Sequence, residues 1–169
     1  MSTYTLGTSE PLTFHHELSF FSCSEEKLDR WLCNQALKDH DLGRSKTFVV
    51  CDPADEGVVA YFTLSLEVIE TKQSIPQSVR HMLPKGYPKS AAVPAILLGK
   101  LALDQTIQGK GLGMELLGEA RFKAKEAADI VGGLFLLVDP AKGKEGFYEE
   151  AGFERVPDTN RMYQSLIDA

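Results

Sequence analysis

Apolar residues recur along this chain with spacings that change from segment to segment. Leu28, Trp31, Leu32 and Ala36 step by three and four, which places them on one helical face. They predict one helix, or two short ones, from about Glu25 to about Asp41, ending near Gly43, with Ser22 and Glu25 at capping-box spacing ahead of it. From Lys46 the pattern becomes Thr-Phe-Val-Val-Cys, a Pro- and Gly-containing turn, then Val-Val-Ala-Tyr-Phe-Thr-Leu-Ser-Leu. Two β-rich runs around such a turn predict an antiparallel hairpin.

Thr71 to Pro94 is irregular, with five Pro or Gly positions (Pro76, Pro84, Gly86, Pro88, Pro94) and one short helical candidate, Gln77 to Leu83. Excursions of this kind often shape binding surfaces. Ala95 to Leu103 is a near-continuous apolar run ended by Asp104, as expected of a strand buried on both faces. The longest helix then carries Gly113, Leu116, Leu117, Ala120, Ala124, Ala127, Ala128 and Val131 as its inward stripe and stops at Gly132 and Gly133. Leu134 to Val138 is a second buried strand, parallel to the first through a right-handed crossover. A short helix from about Lys144 to Ala151 with Gly152 past its end, and β segments around Phe153 and Met162 to Ile167, complete the pattern. The expected fold is α/β (α+β): a mixed central β-sheet with helices on both faces, in a single domain over residues 1–169.

Charge and composition narrow the function. Lys and Arg number 18 against 24 Asp and Glu, a net charge of −6, which excludes a cationic duplex-coating protein and leaves a local basic face open. A hydrophobic fraction of 43% excludes a disordered chain. Cys23, Cys33 and Cys51 contain no CxxC pair and read as small buried hydrophobes in a reducing compartment. The polar stretch Met1 to Pro11 offers no export signal, and the run Ala91 to Leu98 is too short to span a bilayer. A cytoplasmic protein without membrane contact is expected.

The candidate chemistry lies between the Ala95–Leu103 strand and the long helix, at Gln108-Gly109-Lys110-Gly111-Leu112-Gly113. Glycines there permit a tight turn with successive N–H groups aimed outward, and the helix N-terminus adds partial positive charge, which together suit a diphosphate. No Gly-Lys-Ser/Thr follows at Walker A spacing, and Gly-x-Gly-x-Gly is not the dinucleotide fingerprint. By itself the turn reads equally as a phosphate site or a plain connection.

Gln108, Gly111 and Gly113 fill the places of the acetyl-CoA loop Gln/Arg-x-x-Gly-x-Gly/Ala, and Gly146-Phe-Tyr-Glu-Glu-Ala-Gly-Phe-Glu looks like a late Phe-Tyr-Glu-x-x-Gly-Phe segment. In these motifs and their order the chain resembles the GNAT superfamily of acyl-CoA-dependent N-acetyltransferases. The residues Phe21-Ser-Cys, Leu28-Asp-Arg-Trp-Leu, Ser45-Lys-Thr-Phe-Val-Val-Cys, Ala60-Tyr-Phe-Thr-Leu and Pro94-Ala-Ile-Leu-Leu-Gly-Lys-Leu-Ala-Leu-Asp are similar to its TacT-like branch. That branch consists of bacterial toxins, paired with ribbon-helix-helix antitoxins, that acetylate aminoacyl-tRNA. The resemblance implies a GNAT fold and acetyl-CoA as cofactor. It assigns the residues Gln108 to Gly113 to the diphosphate, the backbone of Leu101, Ala102 and Leu103 to the pantetheine arm, and Tyr148 to protonation of the CoA sulfur. It also implies aminoacyl-tRNA and an antitoxin as partners, a homodimer, and no DNA binding by this chain alone. Two alternatives stand beside it: a GNAT enzyme acting on a small amine or a protein N-terminus, and a non-catalytic acyl-CoA-binding partner of a repressor.

The remaining polar residues are weighed on chemistry. An α-amino group has a pKa of roughly 7.7–8.0, so a strong protein base is optional near neutral pH. Glu67 and Glu70 are nevertheless possible bases, and Asp139 stands where it touches an amine or simply forms an Asp-Pro turn. Arg44, Lys46, Lys72, Arg80, Lys85, Lys89 and Lys100 are the candidates for a basic, RNA-contacting face. Trp31 is read as core. His15 and His16, taken as strand neighbours, would point to opposite faces, so no metal site is expected.

Overall fold

The expected hairpin is present. Strand β2 (Lys46–Cys51) pairs antiparallel with β3 (Val58–Ile69). Lys46 lies opposite Leu64 and Phe48 opposite Phe62, whose rings stack at 5.2 Å. The molecule is represented by a computed structural model that describes residues 4–69, 80, 83–88 and 92–167. The other described strands are β1 (Glu10–Pro11), β4 (Val93–Leu103), β5 (Phe135–Val138), β6 (Glu154–Arg155) and β7 (Met162–Ser165). The helices are α1 (Glu26–Asn34), α2 (Ala36–Leu42), α3 (Leu112–Val131) and α4 (Glu145–Glu150), with a 3₁₀ turn at Gln105–Ile107. The sheet is mixed and seven-stranded, in the order β1-β2-β3-β4-β5-β7-β6. Among the described residues no helix is long and apolar enough to cross a membrane.

The chain divides into two compact units, Met1–Ser65 with Gly99–Phe122, and Leu66–Leu98 with Lys123–Ala169. In the first unit α1 and α2 cover the hairpin: Leu32 and Ala36 are buried with Val49, Val58, Tyr61 and Ala102. Two helices form rather than one because the chain breaks at Gln35 (φ −126°, ψ −30°). Gly43 ends α2 in the left-handed region at φ +75°, where a side chain would be disfavoured.

The expected capping box does not form. Glu25 occupies the N-cap without a side-chain bond. Ser22 is instead tied to a distant part of the chain. Its N–H donates to Asp104 Oδ2 at 3.1 Å, and its carbonyl accepts from the Gln105 N–H at 2.7 Å. The cysteines also differ from expectation: Cys23 is buried, Cys51 half-buried and Cys33 exposed.

In the second unit β4 and β5 run parallel from Ala95 opposite Phe135 to Leu98 opposite Val138. Strand β7 adds antiparallel to β5, and β6 to β7. Val93, Ala95, Phe135, Leu137, Val156 and Tyr163 form the core of this unit. Gly133, at φ +138°, returns the chain from helix to strand where a Cβ would already touch Ile96 and Ala128 at 3.5 Å. The stripe on α3 is buried at Leu112, Leu116, Leu117, Ala120 and Ala124. Val131, expected on it, is 64% exposed because the helix outruns the core. The two-residue β1 and the 3₁₀ turn carry no periodic signal and went unpredicted. The helical candidate Gln77 to Leu83 lies mostly outside the described residues.

Asp104 closes the first unit below the loop. Its carboxylate accepts from the Thr106 N–H (2.9 Å), the Thr106 hydroxyl (2.7 Å) and the Ser22 N–H (3.1 Å). Burial alone would raise its pKa, but these donors outweigh it and hold the carboxyl below its ordinary 3.8. A depressed folded-state pKa contributes stability above the unfolded pKa, and that stability is lost as pH falls through the folded value. Asp104→Asn is therefore expected to cost about 1–3 kcal/mol at pH 7, with the difference from wild type narrowing as the pH drops below 3.8. Urea unfolding at pH 7 and at acid pH checks this; equal midpoints at pH 7 would contradict it.

Candidate active site

The glycine-rich turn begins where Asp104 ends β4. The Gln108 side-chain amide donates to the carbonyls of Cys23 and Leu103, both at 2.9 Å, so this side chain braces the turn from behind. Gly109 and Gly111 then take φ +77° and +78°. A Cβ at either would meet nothing within 4 Å, so these glycines are needed for backbone conformation rather than for close packing. The chain enters α3 at Leu112, whose side chain is buried and anchors the helix start. Among the described residues the N–H groups of Gly109, Lys110, Gly111, Leu112 and Gly113 find no acceptor. First-turn helix amides are orphans by construction. Here the left-handed glycines extend that row of donors into the loop, a concavity suited to an anion. Lys110 is exposed, with its ammonium 5.9 Å from the centre of the Tyr4 ring.

Before the turn, the β4–β5 ladder ends at Leu98 while β4 continues to Leu103. Leu101, Ala102 and Leu103 fall in that continuation, with Ala102 buried and the two leucines half-buried. On the other side of this stretch, Thr63 Oγ1 accepts the Lys100 N–H at 2.9 Å. Gly99 leaves room for it, since a Cβ there would stand 2.9 Å from the same hydroxyl.

Tyr148 lies on α4 in the second unit. Its ring is packed edge-on between Phe147 (5.0 Å) and Phe153 (5.6 Å) and is 8% exposed. Four of the five tyrosines give their hydroxyl to an acceptor: Tyr4 to Asp52, Tyr61 to the Leu28 carbonyl, Tyr87 to the Ala92 carbonyl and Tyr163 to Glu154. Tyr148 alone has no partner for its hydroxyl among the described residues. Burial pushes its pKa up to about 12, so it keeps its proton at neutral pH.

Asp139 is not a free base. The Arg161 guanidinium meets it in a forked contact at 2.8 and 2.9 Å, and reaches Glu67 at 3.4 Å. That contact holds the Asp139 carboxyl below its usual range. The sequence shows both carboxylates but gives no sign of Arg161, which lies 22 residues from Asp139 and 94 from Glu67. Glu70 lies outside the described residues.

The basic candidates separate into groups. Arg44 faces Asp39 at 3.5 Å, and Lys46 Nζ donates to the His40 carbonyl at 2.8 Å, so both sit at the end of α2. Lys100 rests over the Trp31 ring, 4.2 Å from its centre. Trp31 also stacks on Tyr61 at the edge of the first core, in line with its expected core role. Lys85 is exposed in the second unit, as is Arg80, which has partners of its own. Lys72 and Lys89 lie outside the described residues.

His15 and His16 stand in a turn, not on a strand. His16 comes together with Glu10 and Cys51, their ligand atoms all within 4.8 Å of one another. The Thr13 N–H donates to His16 Nδ1 at 2.9 Å, which leaves Nε2 carrying the proton it gives to Glu10 at 2.8 Å. Burial pushes the Cys51 thiol up to about 11, and it donates to the same carboxylate at 3.4 Å. The thiol thus keeps its proton, whereas a metal would require the thiolate.

No family model matches the chain. A curated tRNA-acetylating toxin from Mycobacterium tuberculosis is 34% identical over 152 residues, covering 89% of this chain and 86% of its own. The solved structure of AtaT complexed with acetyl-methionyl-tRNAfMet matches with a TM-score of 0.79 at 26% identity, over 94% of each chain. A tyrosine-to-phenylalanine variant of AtaT, bound to the C-terminus of the antitoxin AtaR and acetyl-CoA, matches with a TM-score of 0.76 at 25% identity, over 94% of this chain and 92% of that one. By sequence and by fold, this chain belongs to the family of GNAT-type tRNA-acetylating toxins.

Proposed function

We propose that this protein is an acetyl-CoA-dependent N-acetyltransferase that acetylates the amino group of aminoacyl-tRNA in the cytoplasm, as the toxin of a toxin–antitoxin pair. The observation that carries the reading is the row of amides from Gly109 to Gly113 that find no acceptor among the described residues. It offers a ready site for a diphosphate at the position where the family binds its cofactor. Acetyl-CoA supplies the acetyl group as an activated thioester. The amides of residues 109–113 take the diphosphate, and the backbone of Leu101, Ala102 and Leu103, beyond the end of the β4–β5 ladder, takes the pantetheine arm. Gln108 and Asp104 keep the turn in place.

The Tyr148 hydroxyl holds a proton for the departing sulfur, and its lack of a competing acceptor supports that role. The incoming amine forms the C–N bond as the C–S bond breaks, and the proton that it loses balances the one delivered to sulfur. With Asp139 held by Arg161, the amine enters in its own neutral form. The low pKa of an α-amino group allows this without a protein base. An antitoxin partner completes the proposal, supported by the AtaR complex of the AtaT variant; the resemblance adds that the antitoxin is of ribbon-helix-helix type and that the enzyme is a homodimer.

Gly111→Asp sets a carboxylate among the amides and strains a position at φ +78°. Acetyl-CoA binding by calorimetry is expected to fall by about 100-fold or more, roughly 2.8 kcal/mol. Gly111→Ala adds the strain without the charge and is expected to retain measurable binding. Full affinity in Gly111→Asp would show that the loop is only a turn. Tyr148→Phe is expected to lower kcat for acetylation of methionyl-tRNA by about 10²–10⁴ while leaving acetyl-CoA affinity within a few-fold; an unchanged kcat would remove Tyr148 from the chemistry. In the wild type kcat/KM is expected to rise with pH through the amine pKa of about 7.7–8.0. It then stays level to pH 10, because the raised pKa of about 12 keeps the phenol protonated. A descending limb below pH 9 would contradict that assignment.

A further inference from the structure

Lys100 differs from the other basic candidates of the first unit. Arg44 has Asp39, and Lys46 has the His40 carbonyl. The Lys100 ammonium is half-buried over the Trp31 ring at 4.2 Å, with no carboxylate at salt-bridge distance among the described residues. Asp39 acts on it only at longer range, and burial pushes its pKa down despite that attraction. An ammonium withdrawn from water without a paired anion is unfavourable. An indole face offsets part of that cost, and a bound anion would offset the rest.

The position is also well fixed. The Lys100 N–H is bonded to Thr63 Oγ1, and Trp31 stacks on Tyr61, whose hydroxyl is bonded to the Leu28 carbonyl. Strand, indole and ammonium are thereby held in one arrangement, so little conformational freedom is lost when an anion arrives. The next residues along β4 are Leu101, Ala102 and Leu103, the stretch assigned above to the pantetheine arm. The pantetheine arm is uncharged and the diphosphate is assigned to residues 109–113, so an anion at Lys100 is ascribed to the acceptor.

We propose that Lys100, presented on the face of Trp31, binds a backbone phosphate of the acceptor RNA and so positions its aminoacyl end beside the β4 cofactor strand. This rests on the reading of the acceptor as aminoacyl-tRNA. Trp31 acts through Lys100: it is a positioning residue, and it offers no stacking surface for a base unless the ammonium moves. A phosphate contact carries no base information, so Lys100 supplies affinity and register without selecting among tRNAs.

The test is the salt dependence of kcat/KM for acetylation of two different aminoacyl-tRNAs by wild type, Lys100→Met, Lys100→Gln and Lys100→Arg. Loss of one phosphate contact lowers the slope of log(kcat/KM) against log[salt] by about one. Both neutral variants are expected to show that reduction equally on both tRNAs, through KM more than kcat, while Lys100→Arg keeps the wild-type slope. A lysine that only packs α1 against the sheet would change the melting temperature and leave the slope alone. A wild-type slope and KM in the folded Lys100→Met or Lys100→Gln protein overturns the proposal while the acceptor reading stands. A wild-type protein that acetylates neither tRNA overturns both.

Discussion

The structure depends on keeping one row of backbone amides without internal partners. Residues 109–113 carry N–H groups with no acceptor among the described residues, at the end of a strand and the start of a 20-residue helix. Gly109, Lys110 and Gly111 are exposed, so their donors reach water, but holding the row in one outward-facing arrangement requires the surrounding chain to fix the loop. The enforcement comes from below. Asp104 binds Thr106 and Ser22, and Gln108 reaches the carbonyls of Cys23 and Leu103. Buried Leu112 fixes the first turn of the helix. The segment at Ser22 and Cys23 is thus a brace for the loop, which explains why it does not cap α1.

The same division between bound and free groups runs through the second unit. Its carboxylates at Asp139 and Glu67 are engaged by Arg161, whereas the hydroxyl of Tyr148 is engaged by nothing described. Among the described residues this unit thus keeps one phenol hydroxyl unengaged while the Asp139 and Glu67 carboxylates are occupied. That suits an acceptor whose nitrogen is already neutral near physiological pH. The net charge of −6 is compatible with an RNA acceptor because a few well-placed cations suffice for local contact.

Much of this was legible in the sequence, for identifiable reasons. The hairpin, the strand–helix–strand unit and the glycine turn are local patterns, and their periodicity or composition declares them. Gly43, Gly133 and Gly152 marked element ends correctly because left-handed backbone there favours glycine. What stayed hidden joins residues far apart: Ser22 to Asp104 across 82 positions, Arg161 to Glu67 across 94, Lys100 to Trp31 through the stacking of α1 on the hairpin. The capping box was misread for the same reason, since a distant carboxylate competes for the Ser22 amide. The His16 turn was misread as a strand because no local signal marks the bond from Thr13. Tyr148 was recognisable only by resemblance; that its hydroxyl alone lacks a partner among the described residues required the three-dimensional arrangement of all five tyrosines.

The most direct test of the central claim is the amide spectrum of ¹⁵N-labelled protein titrated with acetyl-CoA. The N–H resonances of Gly109, Lys110, Gly111, Leu112 and Gly113 are expected to move together and saturably, downfield as charge-assisted donors do, and further than those of any other segment. Saturable binding that leaves these resonances in place would contradict that claim.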